Sequence, residues 1–99
     1  GSAARWLGVL AAAMGDPARA EKHYREAVEL NQRMGARPWL AHTLRDFGEL
    51  LVHGGDADAR SRGIELLERA AGIYRTAGMR SYLGLAEALL REAGALEGS

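Results

Sequence analysis

The 99-residue sequence predicts an all-α solenoid of antiparallel helix pairs with about five helices, on three observations. Apolar residues recur with helical periodicity along nearly the whole chain. Glycine, proline and aspartate interrupt that periodicity at four places. Two stretches also share one irregular template of small and bulky residues. The first copy is Leu7-Gly8, Gly15-Asp16-Pro17, Ala20, Tyr24 and Ala27; the second is Phe47-Gly48, Gly55-Asp56, Gly63, Leu67 and Ala70. Tyr24 to Leu67, Ala27 to Ala70, Gly35 to Gly78 and Trp39 to Tyr82 are all 43 residues apart, so a slip of register would break all four. A fixed period of this size means stacked supersecondary units, which present surfaces and seldom do chemistry.

The first helix is expected over residues 3–14, apolar on nearly every side. Gly15 closes it, Asp16 caps the next, and Pro17 occupies a first turn where no N–H partner is needed. The second helix then runs over 17–34 and ends at Gly35. Pro38 belongs to the first turn of the third, over 38–53, which Gly54-Gly55 stops. The fourth spans 58–77 up to Gly78, and the fifth spans 81–92. No run has the two-residue alternation of β-branched and aromatic residues that a strand needs. A single domain over 3–94 results, with Gly1-Ser2 read as a cloning scar and 95–99 as a disordered tail, so that the chain reads as an excised piece of a larger protein.

A glycine inside a helix costs about 1 kcal/mol relative to alanine. Gly8, Gly48 and Gly63 recur in register with Ala20, Ala27 and Ala70, which marks places where helix axes approach too closely for a larger side chain. Leu7, Phe47, Tyr24 and Leu67 fill the space between, so small and large residues alternate across the contact.

Composition narrows the function classes. Thirteen basic and thirteen acidic side chains cancel, leaving neither the basic footprint of a nucleic-acid binder nor an electrostatic reason to sit on an anionic membrane. There is no cysteine, so disulfides and thiolate metal sites are excluded. The longest apolar stretch, residues 9–14, is far short of the ~20 residues of a membrane span. A cytoplasmic protein is expected. No phosphate-cradling loop is present, because Gly54-Gly55 lacks the following lysine and serine or threonine, and no serine has a histidine at a persuasive spacing. Neither enzymatic activity nor a cofactor is expected.

These residues resemble tetratricopeptide repeats, whose signature is Trp-x2-Leu-Gly-x2-Tyr, then Ala-x3-Phe, then Ala, then Pro. The first copy offers Ala4-x2-Leu7-Gly8-x2-Ala11, Ala20-x3-Tyr24 and Ala27. The second offers Leu44-x2-Phe47-Gly48-x2-Leu51, Gly63-x3-Leu67 and Ala70. The opening aromatic and the closing proline are missing from both, the second helices are long, and the second copy gains three residues in its turn. Two units plus a closing helix cover the chain. The long second helices, followed by Gly35 to Ala41 or Gly78 to Leu83, are similar to C-terminal repeat regions of large bacterial ATPase and transcriptional regulators.

The resemblance implies a protein-interaction module in which the first helix of each pair lines a concave groove for a peptide or partner segment. Side chains pointing away from Leu7, Leu44, Phe47 and Leu51 are then the candidates: Arg5, Trp6 and Val9 on the first helix, His42, Arg45, Asp46, Glu49 and His53 on the third, and Leu85 and Leu89 on the last. A structural spacer or oligomerisation unit without an independent ligand is the alternative. His42, Asp46, Glu49 and His53 follow i, i+4, i+7, i+11 spacing and form one polar stripe. Imidazole and carboxylate one turn apart suit a metal, but a rise of 1.5 Å per residue puts His42 and His53 roughly 16 Å apart, so no metal is expected. Glu26, Glu29, Glu65 and Glu68, with Arg25 and Arg69, read as solvated faces. The apolar first helix needs a cover, for which a preceding repeat, a homodimer contact or a hydrophobic peptide are the choices.

Overall fold

The computed structural model describes residues 3–95. It has five α-helices: α1 (Ala3–Ala13), α2 (Pro17–Met34), α3 (Arg37–Val52), α4 (Ala57–Ala77) and α5 (Arg80–Glu92). Among the described residues there is no strand. Gly1-Ser2 and residues 96–99 of the expected tail lie outside the described residues, whereas Ala95 still donates its N–H to the Leu90 carbonyl at 2.9 Å. The thinnest dimension, 19 Å, is about two helix diameters of ~10 Å, as two layers of helices require.

The turns follow from their residues. Asp16 Oδ1 accepts from Arg19 N at 3.1 Å and Asp56 Oδ1 from Ala59 N at 3.0 Å, so both second helices start on the same aspartate cap. The three extra residues of the second copy therefore fall after the cap and lengthen the start of α4, which has 21 residues against 18 in α2. Gly35 and Gly78 close the second helices at φ 66° and 72°, a left-handed conformation that favours glycine. The following N–H groups of Ala36 and Met79 bond back to the Asn31 and Tyr74 carbonyls at 3.0 and 2.9 Å. α3 starts at Arg37, one residue earlier than expected, because Pro38 tolerates the second helical position as well as the first: neither N–H there has an intrahelical acceptor.

Packing within each pair turns on the small residues. A Cβ on Gly8 would stand 2.5 Å from Tyr24 Cε1, and one on Gly48 would stand 2.7 Å from Leu67 Cγ and 3.0 Å from the Gly63 carbonyl oxygen. A Cβ on Gly63 would meet the Gly48 carbonyl oxygen at 2.8 Å. The α3 and α4 backbones thus approach each other directly, and this pair makes the most extensive contact in the molecule. Ala20, Ala27, Leu67 and Ala70 are completely buried. One core cluster joins Leu40, Leu44, Ala70, Tyr74 and Ala86 across α3, α4 and α5; another joins Ala11, Ala20, Tyr24, Phe47 and Leu51 across α1, α2 and α3. Tyr24 and Phe47 stack at 5.8 Å between ring centroids, tying the first pair to the second.

One expectation is corrected. The sequence template sets Leu7 with Phe47 facing a partner helix, but Leu7 is 49% exposed whereas Phe47 is 5% exposed. Phe47 is covered by the pair that precedes it. Leu7 holds the same place in the first pair, where among the described residues no helix lies in front, so only Gly8 of that dipeptide is used in packing.

Glycine substitutions separate packing from propensity. Gly63→Ala should lower stability by about 1–2 kcal/mol, the overpacking penalty less the helix-propensity gain. Gly72→Ala, with no atom within 4 Å of its Cβ, should raise stability by about 0.5–1 kcal/mol. Urea denaturation of both variants checks the contrast, and equal effects would refute the packing assignment.

Candidate functional site

The first helices α1, α3 and α5 carry a connected polar and aromatic cluster. At one end Arg5 Nε of α1 meets Asp46 Oδ2 of α3 at 2.6 Å, with both side chains less than a fifth exposed. Asp46 Oδ1 also lies 3.5 Å from Arg45 Nη2. Arg45 Nη1 donates to the Tyr74 hydroxyl at 3.1 Å, and the same hydroxyl lies 2.7 Å from His42 Nδ1. Aromatic contacts extend the chain. The His42 ring stands 4.6 Å from that of Tyr82 and 5.8 Å from that of Trp39, Tyr74 stacks on Tyr82 at 5.6 Å, and the Arg45 guanidinium carbon lies 5.6 Å from the Tyr82 ring centroid. A cation held against a ring face in this way is both oriented and partly desolvated.

The protonation pattern of the cluster is set by burial. Burial pushes the Tyr74 phenol up to about 12, so it keeps its proton and donates. Burial, and then the positive charges of Arg45 and Arg5, hold His42 below its usual value, with the Asp46 carboxylate opposing. His42 is therefore neutral at pH 7 with Nδ1 accepting from the Tyr74 hydroxyl, whose oxygen in turn accepts from Arg45. That arrangement pairs the Tyr74 hydroxyl as both donor and acceptor.

A cleft of about 570 Å³ adjoins this cluster between α1, the start of α2 and α3. Ala12, Tyr24, Asp46, Glu49 and His53 are among the residues that line it. Burial, and then the Asp46 charge, raise the Tyr24 phenol to about 12, so its hydroxyl also stays protonated there.

The four residues of the expected polar stripe thus divide. His42 and Asp46 are taken into the buried network, Glu49 is exposed at the cleft, and His53 Nε2 faces Glu92 Oε1 of α5 at 3.3 Å. Among the described residues no three of His, Cys, Asp and Glu are grouped to hold a metal ion. Arg5 and Arg45 join the network; Trp6 and Leu85 are 58% and 52% exposed. Val9 is half-buried against the Tyr24 and Phe47 cluster. Leu89 is buried with Leu67 and Leu90 and so fills the core where it was expected to line a groove. Helical rotation explains this: α5 turns its 86, 89 and 90 edge inward, which leaves Tyr82 and Leu85 outward.

Sequence reasoning missed Tyr74, Trp39 and Tyr82. Tyr74 belongs to a second helix, whereas the resemblance puts groove residues on first helices, but its side chain reaches across to α3. The available signal was the 43-residue spacing, which pairs Tyr74 with Asn31. Both put a polar group at a wholly buried position. Elsewhere, burial raises the Glu21 carboxyl, but the hydrogen bonds and charges of Arg62 and Arg25 together hold it below its usual range. The Arg62 bond, at 3.0 Å, links α2 to α4 outside the cluster.

Residues 1–62 match the family model of the tetratricopeptide repeat. Searches of curated proteins and of solved structures gave no significant match. No helix among the described residues is long and apolar enough to cross a membrane.

The neutral His42 has a sign-definite consequence. The unfolded chain binds a proton at His42 near pH 6.5 and the folded chain binds it only at lower pH, so the native state loses stability as pH falls through that window and is unaffected above it. From about pH 7.5 to about pH 5, the melting temperature of the wild type should fall more than that of His42→Gln. Parallel curves would show that His42 is not held neutral.

Proposed function

The chain belongs to the tetratricopeptide repeat family, and from that premise we propose that the face formed by α1, α3 and α5 binds an extended or helical segment of a protein partner. Repeats of this family generally mediate protein–protein interaction and form non-catalytic scaffolds. The observation that carries the finer reading is the Trp39, His42, Arg45, Tyr82 cluster. Trp39 and Tyr82 are each about two-fifths exposed, and Arg45 is held from below by Asp46 and Tyr74. Tryptophan, tyrosine and arginine are the residues on which binding energy concentrates, and anchors already fixed in place lose little entropy on binding. Arg5, Trp6, Val9 and Leu85 flank the cluster, and Glu49 and His53 form the polar wall of the adjoining cleft. A partner segment with an apolar or aromatic anchor and a carboxylate suits this face. The 18- and 21-residue second helices and the Gly35 to Ala41 segment that follows the first of them support service in a larger, cytoplasmic bacterial regulator.

A second reading rests on a different observation. Trp6, Leu7 and Leu10 of α1 and Met14 just after it are 45–81% exposed, an apolar face that suits a homodimer contact or a spacer role with no independent ligand. On that reading, sedimentation over a wide concentration range shows self-association that Leu10→Glu abolishes.

The first reading is tested with peptides selected from a random library on the wild-type chain. Trp39→Ala and Tyr82→Ala should each weaken a selected peptide by roughly tenfold or more, with a circular-dichroism melt close to that of the wild type. Peptides that bind both variants as tightly as the wild type would move the binding face elsewhere.

A further inference from the structure

A separate cleft of about 430 Å³ opens between the two second helices, α2 and α4, beside the first turn of α3. Arg37 and Arg69 line it, and no aspartate or glutamate does. Both arginines are exposed, and among the described residues neither side chain makes a hydrogen bond or ion pair. Arg5, Arg19, Arg25, Arg33, Arg45, Arg62 and Arg75 each stand within 4.0 Å of a carboxylate, and although Arg60, Arg80 and Arg91 are likewise unpaired among the described residues, Arg37 and Arg69 are the two that line one cleft together. α3 begins at this place with no acidic residue in its first turn and no side-chain cap, so the positive end of its dipole adds to the arginines uncompensated.

Two further observations mark the cleft as more than a charged surface. Asn31, in its wall, is wholly buried, and neither atom of its carboxamide has a hydrogen-bond partner. A buried amide left unsatisfied is unfavourable in a folded protein and calls for a partner. Gly72, also in the wall, differs from the glycines at helix contacts. Gly8, Gly48 and Gly63 are crowded by neighbouring atoms, whereas a Cβ on Gly72 meets nothing within 4 Å. Packing does not explain a glycine there, and the missing side chain leaves the cleft open. Leu40 and Ile73 supply apolar wall beside the cations.

We propose that this cleft binds a carboxylate carried on a short aliphatic stem, with Arg37 and Arg69 pairing its oxygens, Asn31 offering an amide donor and Leu40 and Ile73 packing on the stem. A planar carboxylate suits the bidentate fork of arginine, and the stem accounts for the apolar wall. The site is distinct from the α1, α3, α5 face and does not depend on it. A glutamate side chain of a partner segment and a free dicarboxylic acid share this chemistry.

The test is a ¹⁵N NMR titration of the whole chain with glutarate, with an end-blocked tripeptide of glutamate, and with inorganic phosphate. Either carboxylate should give saturable shifts of the Asn31 side-chain amide pair and of the Gly72 and Arg37 backbone amides. Tighter binding of the tripeptide assigns the site to an acidic segment, and binding of glutarate at least as tight assigns it to a free acid. Arg37→Gln combined with Arg69→Gln should weaken binding by roughly tenfold or more. Gly72→Leu should block the cleft while the melting temperature stays at or above that of the wild type, so loss of binding cannot be blamed on unfolding. Absence of saturable shifts, phosphate binding as tight as the carboxylates, or unchanged binding by Gly72→Leu would each overturn the proposal.

Discussion

Everything in this molecule depends on the backbone-to-backbone approach of α3 and α4 at Gly48 and Gly63. With the Gly48 carbonyl oxygen only 2.8 Å from where a Gly63 Cβ would be, the two helices have one relative position, and Leu67 is the bulky residue that completes it. Interiors packed at crystal-like density have few alternative arrangements, so a contact this close fixes the rotation of each helix about its own axis as well as the distance between axes. Fixing rotation decides which side chains face the core. On α3, Leu40, Leu44, Phe47 and Leu51 go inward, and the edge carrying His42 and Arg45 is left to meet Tyr74, which α4 delivers from below.

Tyr74 is where the packing template and the candidate function meet. Its ring is wholly buried in the core, yet its hydroxyl ends the hydrogen-bond relay through His42 and Arg45. A change that shifts α4 therefore shifts the support under the aromatic surface, without touching a residue that a partner would contact. The first pair has no such hub. Asn31 occupies the position equivalent to Tyr74, but its side-chain amide bonds to nothing among the described residues, and it borders a cleft with two arginines whose side chains are unpaired. The same repeat thus presents an aromatic, internally satisfied surface on one side and a cationic, unsatisfied one on another. Repeats diverge in this way because the template constrains small and large positions and leaves the positions between them free.

Most of the fold was legible in the sequence because its signals are local. Gly15-Asp16-Pro17, Gly35, Gly55-Asp56 and Gly78 each act through their own backbone geometry, so the turns could be located without knowing what packs where. The crowded glycines were legible for another reason: a costly residue repeated in register implies a contact at each copy. The three-residue insertion was misplaced because spacing alone does not say whether extra residues loop out or extend a helix; the Asp56 cap decides it. Leu7 misled because the template records what a position can bury, and burial also needs a neighbouring helix in front. The site was only partly legible. Arg5, His42, Arg45 and Asp46 follow from helical geometry, whereas Tyr74, Trp39 and Tyr82 are joined to them by contacts across three helices that no spacing within one helix reveals.

The dependence of the whole on the α3–α4 interlock is tested most directly by native-state hydrogen exchange, which reports the free energy of opening residue by residue. The account predicts that the slowest-exchanging amides lie in α3 and α4 around Gly48 and Gly63, and that α1, with its exposed Trp6, Leu7 and Leu10, opens first. Slowest exchange in α1 and α2, with α3 and α4 opening before them, would contradict it.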